Sequence, residues 1–104
     1  TEVVLACAKA GVQVMSKKQI EEAKKLMVAA DVNAVPPAGI EGLDVHDSGK
    51  PLAGAKRAVG IGALAVGDIK YQVQRKLFEL MLDSEKPVYL DFRDAFAVAR
   101  KHVA

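Results

Sequence analysis

The first apolar positions come as an unbroken run. Val3 to Ala8 carries no charged side chain, the pattern of a strand covered on both faces. Gly11 breaks the run, and the VQVM stretch behind it is either a second short extended piece or the descent into a helix. Ser16 stands where an N-cap belongs, and Gln19 three residues on completes a capping box. Ile20, Ala23, Met27 and Val28 then share one helical face, while Glu21 can pair with Lys25 across one turn. This amphipathic helix should cover one side of a sheet. ADVNAV, residues 30–35, returns to extended structure, so strand, helix and strand in that order predict a right-handed parallel crossover.

Pro36 and Pro37 stop the second strand, because neither has an N–H for the ladder and Val35 is pushed toward extended dihedrals. Gly39 and Gly42 follow, so the loop is stiff where it begins and permissive where it ends. A plain surface turn needs less constraint than this; a loop shaped around a flat, rigid group needs about this much. Open parallel sheets bind ligands beyond the carboxyl ends of their strands, which is where the prolines fall. Asn33 lies just before them. An amide between Val32 and Ala34 needs a specific partner if buried, and spacing leaves open whether that is a ligand carboxamide or neighbouring backbone.

From 43 to 67 the pattern is less regular. Asp47, Ser48 and Gly49 read as a turn, and Gly54, Gly60, Gly62 and Gly67 let the backbone pass close to other groups. Helical spacing resumes at about Asp68, taken as the cap, with Ile69, Val73, Leu77, Leu80 and Met81 in register. SEKPVYLD interrupts it, and Asp91 starts a last helix with Phe92, Ala95, Phe96, Ala99 and Val103 facing inward. There is no internal repeat.

Composition narrows the class. At 51% hydrophobic over 104 residues the chain should fold as a small domain rather than stay disordered. Fifteen basic and thirteen acidic residues leave a net charge of +2. They are interleaved, Glu21 and Glu22 breaking the cluster of Lys17, Lys18, Lys24 and Lys25, which argues against a nucleic-acid partner. The longest run without a charge, Ala58 to Gly67, is too short to span a bilayer, and the start shows no signal-peptide pattern. A cytoplasmic protein with neither a membrane nor a nucleic-acid partner is expected. Cys7 is the sole cysteine, which excludes an internal disulfide; Leu5 and Ala6 beside it predict a buried thiol.

Three features invite chemistry. GIGALAVG holds closely spaced glycines, but a dinucleotide fingerprint needs a strand before it, a crossover helix after it and an acidic residue farther on. Here the glycines precede the penultimate helix, so packing is expected of them. Asp44, His46 and Asp47 lack a zinc-ligand spacing and His102 lies far away in the last helix, so a solvated turn is expected and no metal. Lys70, placed in the first turn of the long helix, gains nothing there from the helix dipole. It reads either as a cation that orients an anionic group or as an ordinary exposed lysine.

VAADVNAVPPAGIEGLDVHDSGKPLAG followed by GIGALAVGDIKYQVQRKLFELM resembles the carboxyl-terminal portion of the bacterial methylene-tetrahydromethanopterin dehydrogenases. The methylene-tetrahydrofolate dehydrogenases of methylotrophs are their near relatives. The resemblance covers essentially all 104 residues, with ADVNAVPP and the GIGALAVG-x-x-K approach to the long helix its most specific parts. VVLACAKAGVQVM resembles the family's strand and turn near the nicotinamide end of the cofactor.

The resemblance implies an α/β fold. Residues 1–66 would be the second half of a Rossmann-type parallel-sheet domain holding NAD or NADP, and 67–104 helices that pack toward a pterin-binding domain. Ala8, Ala10, Gly11 and Val12 would pass near the cofactor, and Asn33, Val35, Pro36, Pro37 and Gly39 would line the nicotinamide side of the cleft. Lys70 would face that cleft as the catalytic residue, orienting substrate or countering charge. The implied reaction is hydride transfer from methylene-tetrahydromethanopterin, or its folate counterpart, to NAD(P)+ in one-carbon and formaldehyde oxidation, without metal. A homo-oligomer is expected. The family's phosphate-binding glycine loop lies in an earlier part of the domain. The chain is therefore expected to be completed by an N-terminal portion or a complementary chain, and to be inactive alone. Two other readings stand beside this one: a non-catalytic α/β binding or interaction module, and a different NAD(P)-dependent dehydrogenase.

Overall fold

Strand β1 (Val3–Ala6) runs parallel to β2 (Val28–Asp31), with Val3 opposite Val28 and Ala6 opposite Asp31. The computed structural model describes residues 1–104. β2 also pairs in parallel with β4 (Val59–Ile61), and β3 (Ser48–Pro51) closes the far edge antiparallel to β4, giving the order β1-β2-β4-β3. The α/β class is therefore as expected, in a mixed sheet of three parallel strands and one antiparallel strand. Parallel neighbours need a crossover between them; helix α1 (Lys17–Glu22) lies in the first.

The start of α1 follows the sequence pattern. Ser16 is extended, its hydroxyl accepts the Gln19 amide at 3.3 Å, and Gln19 Oε1 accepts the Ser16 amide at 2.9 Å. Its end does not. The helix stops at Glu22, and Leu26 rather than Met27 is buried. Strand pairing is the reason: the amides of Met27 and Val28 both donate to the Glu2 carbonyl, so the chain is already committed to the sheet there.

Chain segments Thr1–Val66 and Gly67–Ala104 form two compact units. The core of the first is Ala6, Ile20, Leu26, Ala29, Ile40, Leu43, Leu52 and Ala58. Each fully buried Ile or Leu there contributes about 1.5–3 kcal/mol relative to exposure. Ala6 and the half-buried Val4 face this core, whereas Val3 and Leu5 are exposed, Leu5 at 68%. The expected cover on both faces of β1 is thus present on one. Cys7, predicted buried, is exposed because β1 ends at Ala6 and the thiol leaves with the next segment.

Gly60 and Gly62 are packing glycines, as expected. A Cβ on Gly60 would collide with Leu43 Cδ1, and one on Gly62 with the backbone of Asp44 and Val45. The turn expected at 47–49 sits earlier, at Val45 and His46, and Ser48 already opens β3. Asp47 donates its amide to the Asp44 carbonyl to close that turn, and Ser48 pairs with Ile61.

Helix α2 (Ala63–Asp83) begins well before Asp68, which is not its cap. The amides of Leu64 and Ala65 donate instead to the Val45 carbonyl, so backbone from a distant turn does the capping and Gly67 lies inside the helix. Helix α3 (Phe92–Val103) starts as predicted: Asp91 caps it, and Asp94 completes the box. Its apolar stripe does not face inward. Phe92, Phe96 and Val103 are exposed, Phe92 at 80%, and α3 has no buried residue. No helix is long and apolar enough to cross a membrane.

Candidate functional site

β1, β2 and β4 are mutually parallel, so their carboxyl ends share one edge of the sheet. Two loops leave that edge side by side, one after Ala6 and one after Asp31, residues that are partners in the ladder. Asp31 is 2% exposed. Its Oδ1 accepts the Asn33 amide at 2.9 Å, and its Oδ2 accepts those of Gly39 at 2.7 Å and Ile40 at 3.4 Å. Asn33 is 7% exposed. Its Oδ1 accepts the Val35 amide at 2.9 Å and the Gly11 amide at 3.2 Å, while Nδ2 donates to the Pro37 carbonyl at 2.9 Å.

Asn33 thus has the backbone partners that its sequence position allowed. Its partners are backbone, in its own loop and in the neighbouring one. Further bonds tie the same segments: the Gly39 carbonyl accepts the amides of Val14 at 2.8 Å and Met15 at 3.0 Å, and the Met15 carbonyl accepts that of Glu41 at 2.9 Å. Glu41 Oε2 then accepts the Lys17 amide at 2.6 Å, at the first turn of α1. No buried side-chain nitrogen or oxygen lacks a partner, as the cost of an unpaired buried polar group requires.

Asp31 was not singled out by sequence reasoning. The signal was present: an aspartate ends an apolar strand two residues before an asparagine and ahead of a proline–glycine loop. Short Asp and Asn side chains in that setting reach back to local backbone amides. Gly39 completes the arrangement. A Cβ there would stand 2.8 Å from Asp31 Oδ1, so the close approach needs glycine. Gly11 has φ of +77°, a left-handed conformation that glycine adopts without strain.

Of the predicted cofactor-lining residues, Gly11, Asn33, Val35, Pro37 and Gly39 fall in this one hydrogen-bonded cluster. Pro36 joins Pro37 through a cis peptide bond and is exposed with it. Ala8, Ala10 and Val12 are exposed around Gly11, and Val12 donates its amide to the Lys9 carbonyl. The result is an exposed apolar skin of Val12, Val35, Pro36 and Pro37 over a frame of paired polar groups.

Lys70 lies in the second unit, exposed on α2. It is not in the first turn, as expected, because the helix starts at Ala63. The unfavourable dipole expected there therefore does not act on Lys70, since the effect is confined to the terminal turn. Four of the GIGALAVG amides are committed: Gly62 donates to the Asp47 carbonyl, Leu64 and Ala65 to that of Val45, and Val66 to that of Gly62. Asp44, His46 and Asp47 knit their own turn. Asp47 Oδ2 accepts the Asp44 amide at 3.1 Å, Asp44 Oδ1 accepts that of His46 at 2.9 Å, and Lys50 pairs with Asp47 at 3.6 Å.

No family model matches the chain. Two proteins of Methylorubrum extorquens are similar to it. The NAD(P)-dependent methylenetetrahydromethanopterin dehydrogenase is 52% identical over 98 residues, which is 94% of this chain and 33% of that protein. The bifunctional protein MdtA is 31% identical over 91 residues, 88% of this chain and 30% of that protein. The chain spans about a third of the length of the relatives it matches. Along nearly its whole length it is thus similar to one segment of an NAD(P)-dependent methylenetetrahydromethanopterin dehydrogenase.

Proposed function

We propose that the chain is the nicotinamide-facing part of an oxidoreductase that moves hydride from methylene-tetrahydromethanopterin, or its folate counterpart, to NAD(P)+ in one-carbon oxidation. The observation that carries this reading is the 52% identity across 94% of the chain to a dehydrogenase of that name. The paired loops at the carboxyl ends of β1 and β2 support it, since open parallel sheets take ligands there.

A nicotinamide ring needs a wall that is close, apolar and rigid. The residues present fit. Gly11 has no side chain to hold a ring away, and Val12, Val35, Pro36 and Pro37 offer exposed apolar surface. When bound, the dinucleotide supplies the hydride acceptor. Within this chain, the loops would orient that ring and keep water from it. Asn33 holds three backbone groups of the two loops in place beforehand, so less ordering entropy is lost on binding. The methylene carbon of the substrate is flanked by two nitrogens that share the positive charge left behind, so the reaction demands no general acid or base from these residues.

In this reading residues 1–66 are the carboxyl-terminal half of a Rossmann-type NAD(P)-binding domain. Residues 67–104 are helices bridging to the pterin-binding domain, and Lys70 orients the pterin, a role that rests on the resemblance alone. The remainder comes from an N-terminal portion or a complementary chain, in a cytoplasmic homo-oligomer. The test is to offer methylene-tetrahydromethanopterin and methylene-tetrahydrofolate, each with NAD+ and NADP+, to the complete assembly while following reduced-nicotinamide absorbance. Hydride transfer from either pterin is expected; none from both would overturn the proposal.

A further inference from the structure

We infer that Asp31 is a positioning residue for the dinucleotide, fixing the loops after β1 and β2 against each other. The inference rests on the functional reading above. Its basis is a closed circuit of bonds. Asp31 Oδ1 holds the Asn33 amide, and Asn33 Oδ1 holds the Gly11 amide. On the other side Asp31 Oδ2 holds the Gly39 amide, and the Gly39 carbonyl accepts those of Val14 and Met15. One buried carboxylate therefore holds the loop after β2 directly, at Asn33 and Gly39, and the loop after β1 through those two residues, at Gly11 and at Val14 and Met15. Neither wall can shift from the other without breaking a bond in that circuit.

The chemistry is more demanding than packing. Val28, Ala29 and Ala30 fill the rest of β2 with apolar groups, and a further one at Asp31 would serve a simple core. A carboxylate in that place has no cationic partner; its neighbours are the three backbone amides of Asn33, Gly39 and Ile40. Both oxygens must accept. Asparagine has the same shape but offers one acceptor and one donor, so Asp31→Asn sets an NH2 group against a backbone N–H on one side of the circuit.

In the assembled enzyme, Asp31→Asn should lower kcat/KM for NAD(P)+ roughly 10- to 100-fold, the scale of a misplaced reacting group. KM for the pterin should change by less than about twofold. Amide exchange at Gly11, Val14 and Gly39 should quicken while the sheet amides of Ala29 and Ala30 keep their protection. Unchanged constants for the dinucleotide despite quickened exchange would overturn the inference, leaving Asp31 a merely structural residue. Equal losses toward both substrates would overturn it too. Should Asp31→Asn fail to fold, Gly39→Ala crowds the same carboxylate without removing an acceptor, and the same dinucleotide-selective loss is required of it. Calorimetric titration with NADP+ separates this from the reaction itself. Wild-type protein that binds NADP+ but oxidises neither pterin removes the proposed function, and the affinity ratio of Asp31→Asn to wild type still decides the role of Asp31.

Discussion

Asn33 Oδ1 accepts the Gly11 amide at 3.2 Å, joining the loop after β2 to the turn after β1 across 22 positions of sequence. The same oxygen accepts the Val35 amide, and the side-chain nitrogen donates to the Pro37 carbonyl. One amide group thus does for two irregular loops what a ladder does for strands: it satisfies their backbone while holding their spacing.

Asn33→Ala leaves the Gly11 and Val35 amides and the Pro37 carbonyl without this partner. The expected loss is about 1–3 kcal/mol for a buried group left unpaired, read from urea unfolding. Asn33→Asp keeps both acceptor functions but turns an oxygen toward the Pro37 carbonyl, so it should recover part of the loss and no more. Equal stability of all three proteins would contradict the role of the side chain.

Gly60→Ala should cost about 1–3 kcal/mol, because the added methyl meets Leu43 in a filled core. Gly67→Ala is the control: nothing stands near a Cβ there. Within the α2 interior it should be neutral to stabilising by roughly 1 kcal/mol. Thermal unfolding of the two variants side by side checks the contrast.

Ser16→Ala removes the acceptor for the Gln19 amide at the start of a short helix. A loss of about 0.5–2 kcal/mol is expected. Exchange at Gln19 should accelerate more than exchange at Ala29, since the cap is local and the sheet is not.

The start of α3 should be acid-sensitive. The Arg93 side chain, donating to the Asp91 carboxylate, is the main cause of its pKa lying below the ordinary 3.8. A carboxylate whose pKa is lower folded than unfolded contributes its stabilisation above the unfolded value and loses it as pH falls through the folded one. The window therefore lies below about pH 3.8. Carbon NMR of the Asp91 carboxyl group should titrate there in the folded protein, and Arg93→Ala should move the midpoint upward. An unmoved midpoint would show that the pair does not matter.

Lys70→Ala should leave thermal stability unchanged, since the side chain is exposed and makes no ion pair. In the assembled enzyme it should reduce kcat/KM for the pterin by roughly tenfold or more if it orients that substrate, about the loss of one charge-assisted hydrogen bond. Wild-type kinetics would remove Lys70 from the site.

Much of this chain was legible one segment at a time. The capping box at Ser16 and the helix start at Asp91 stood as read, because the groups that meet there lie within three residues of each other. The α/β class and the proline–glycine loop were equally plain, resting on local periodicity and on proline and glycine chemistry. β2 nonetheless ends at Asp31 and not at the prolines, because the Asp31 carboxylate turns the chain by accepting the Asn33 amide. What only the folded molecule decided were the partners drawn from far along the chain. Asp31 became the anchor of the loops because Gly39 and Ile40 return to it, and α2 began at Ala63 because the Val45 carbonyl lies beneath its first amides. An apolar stripe in α3 said which face would bury, not that anything in these residues would cover it. A residue's own propensity is carried by its neighbours, whereas burial and hydrogen-bond partners depend on backbone that arrives from elsewhere.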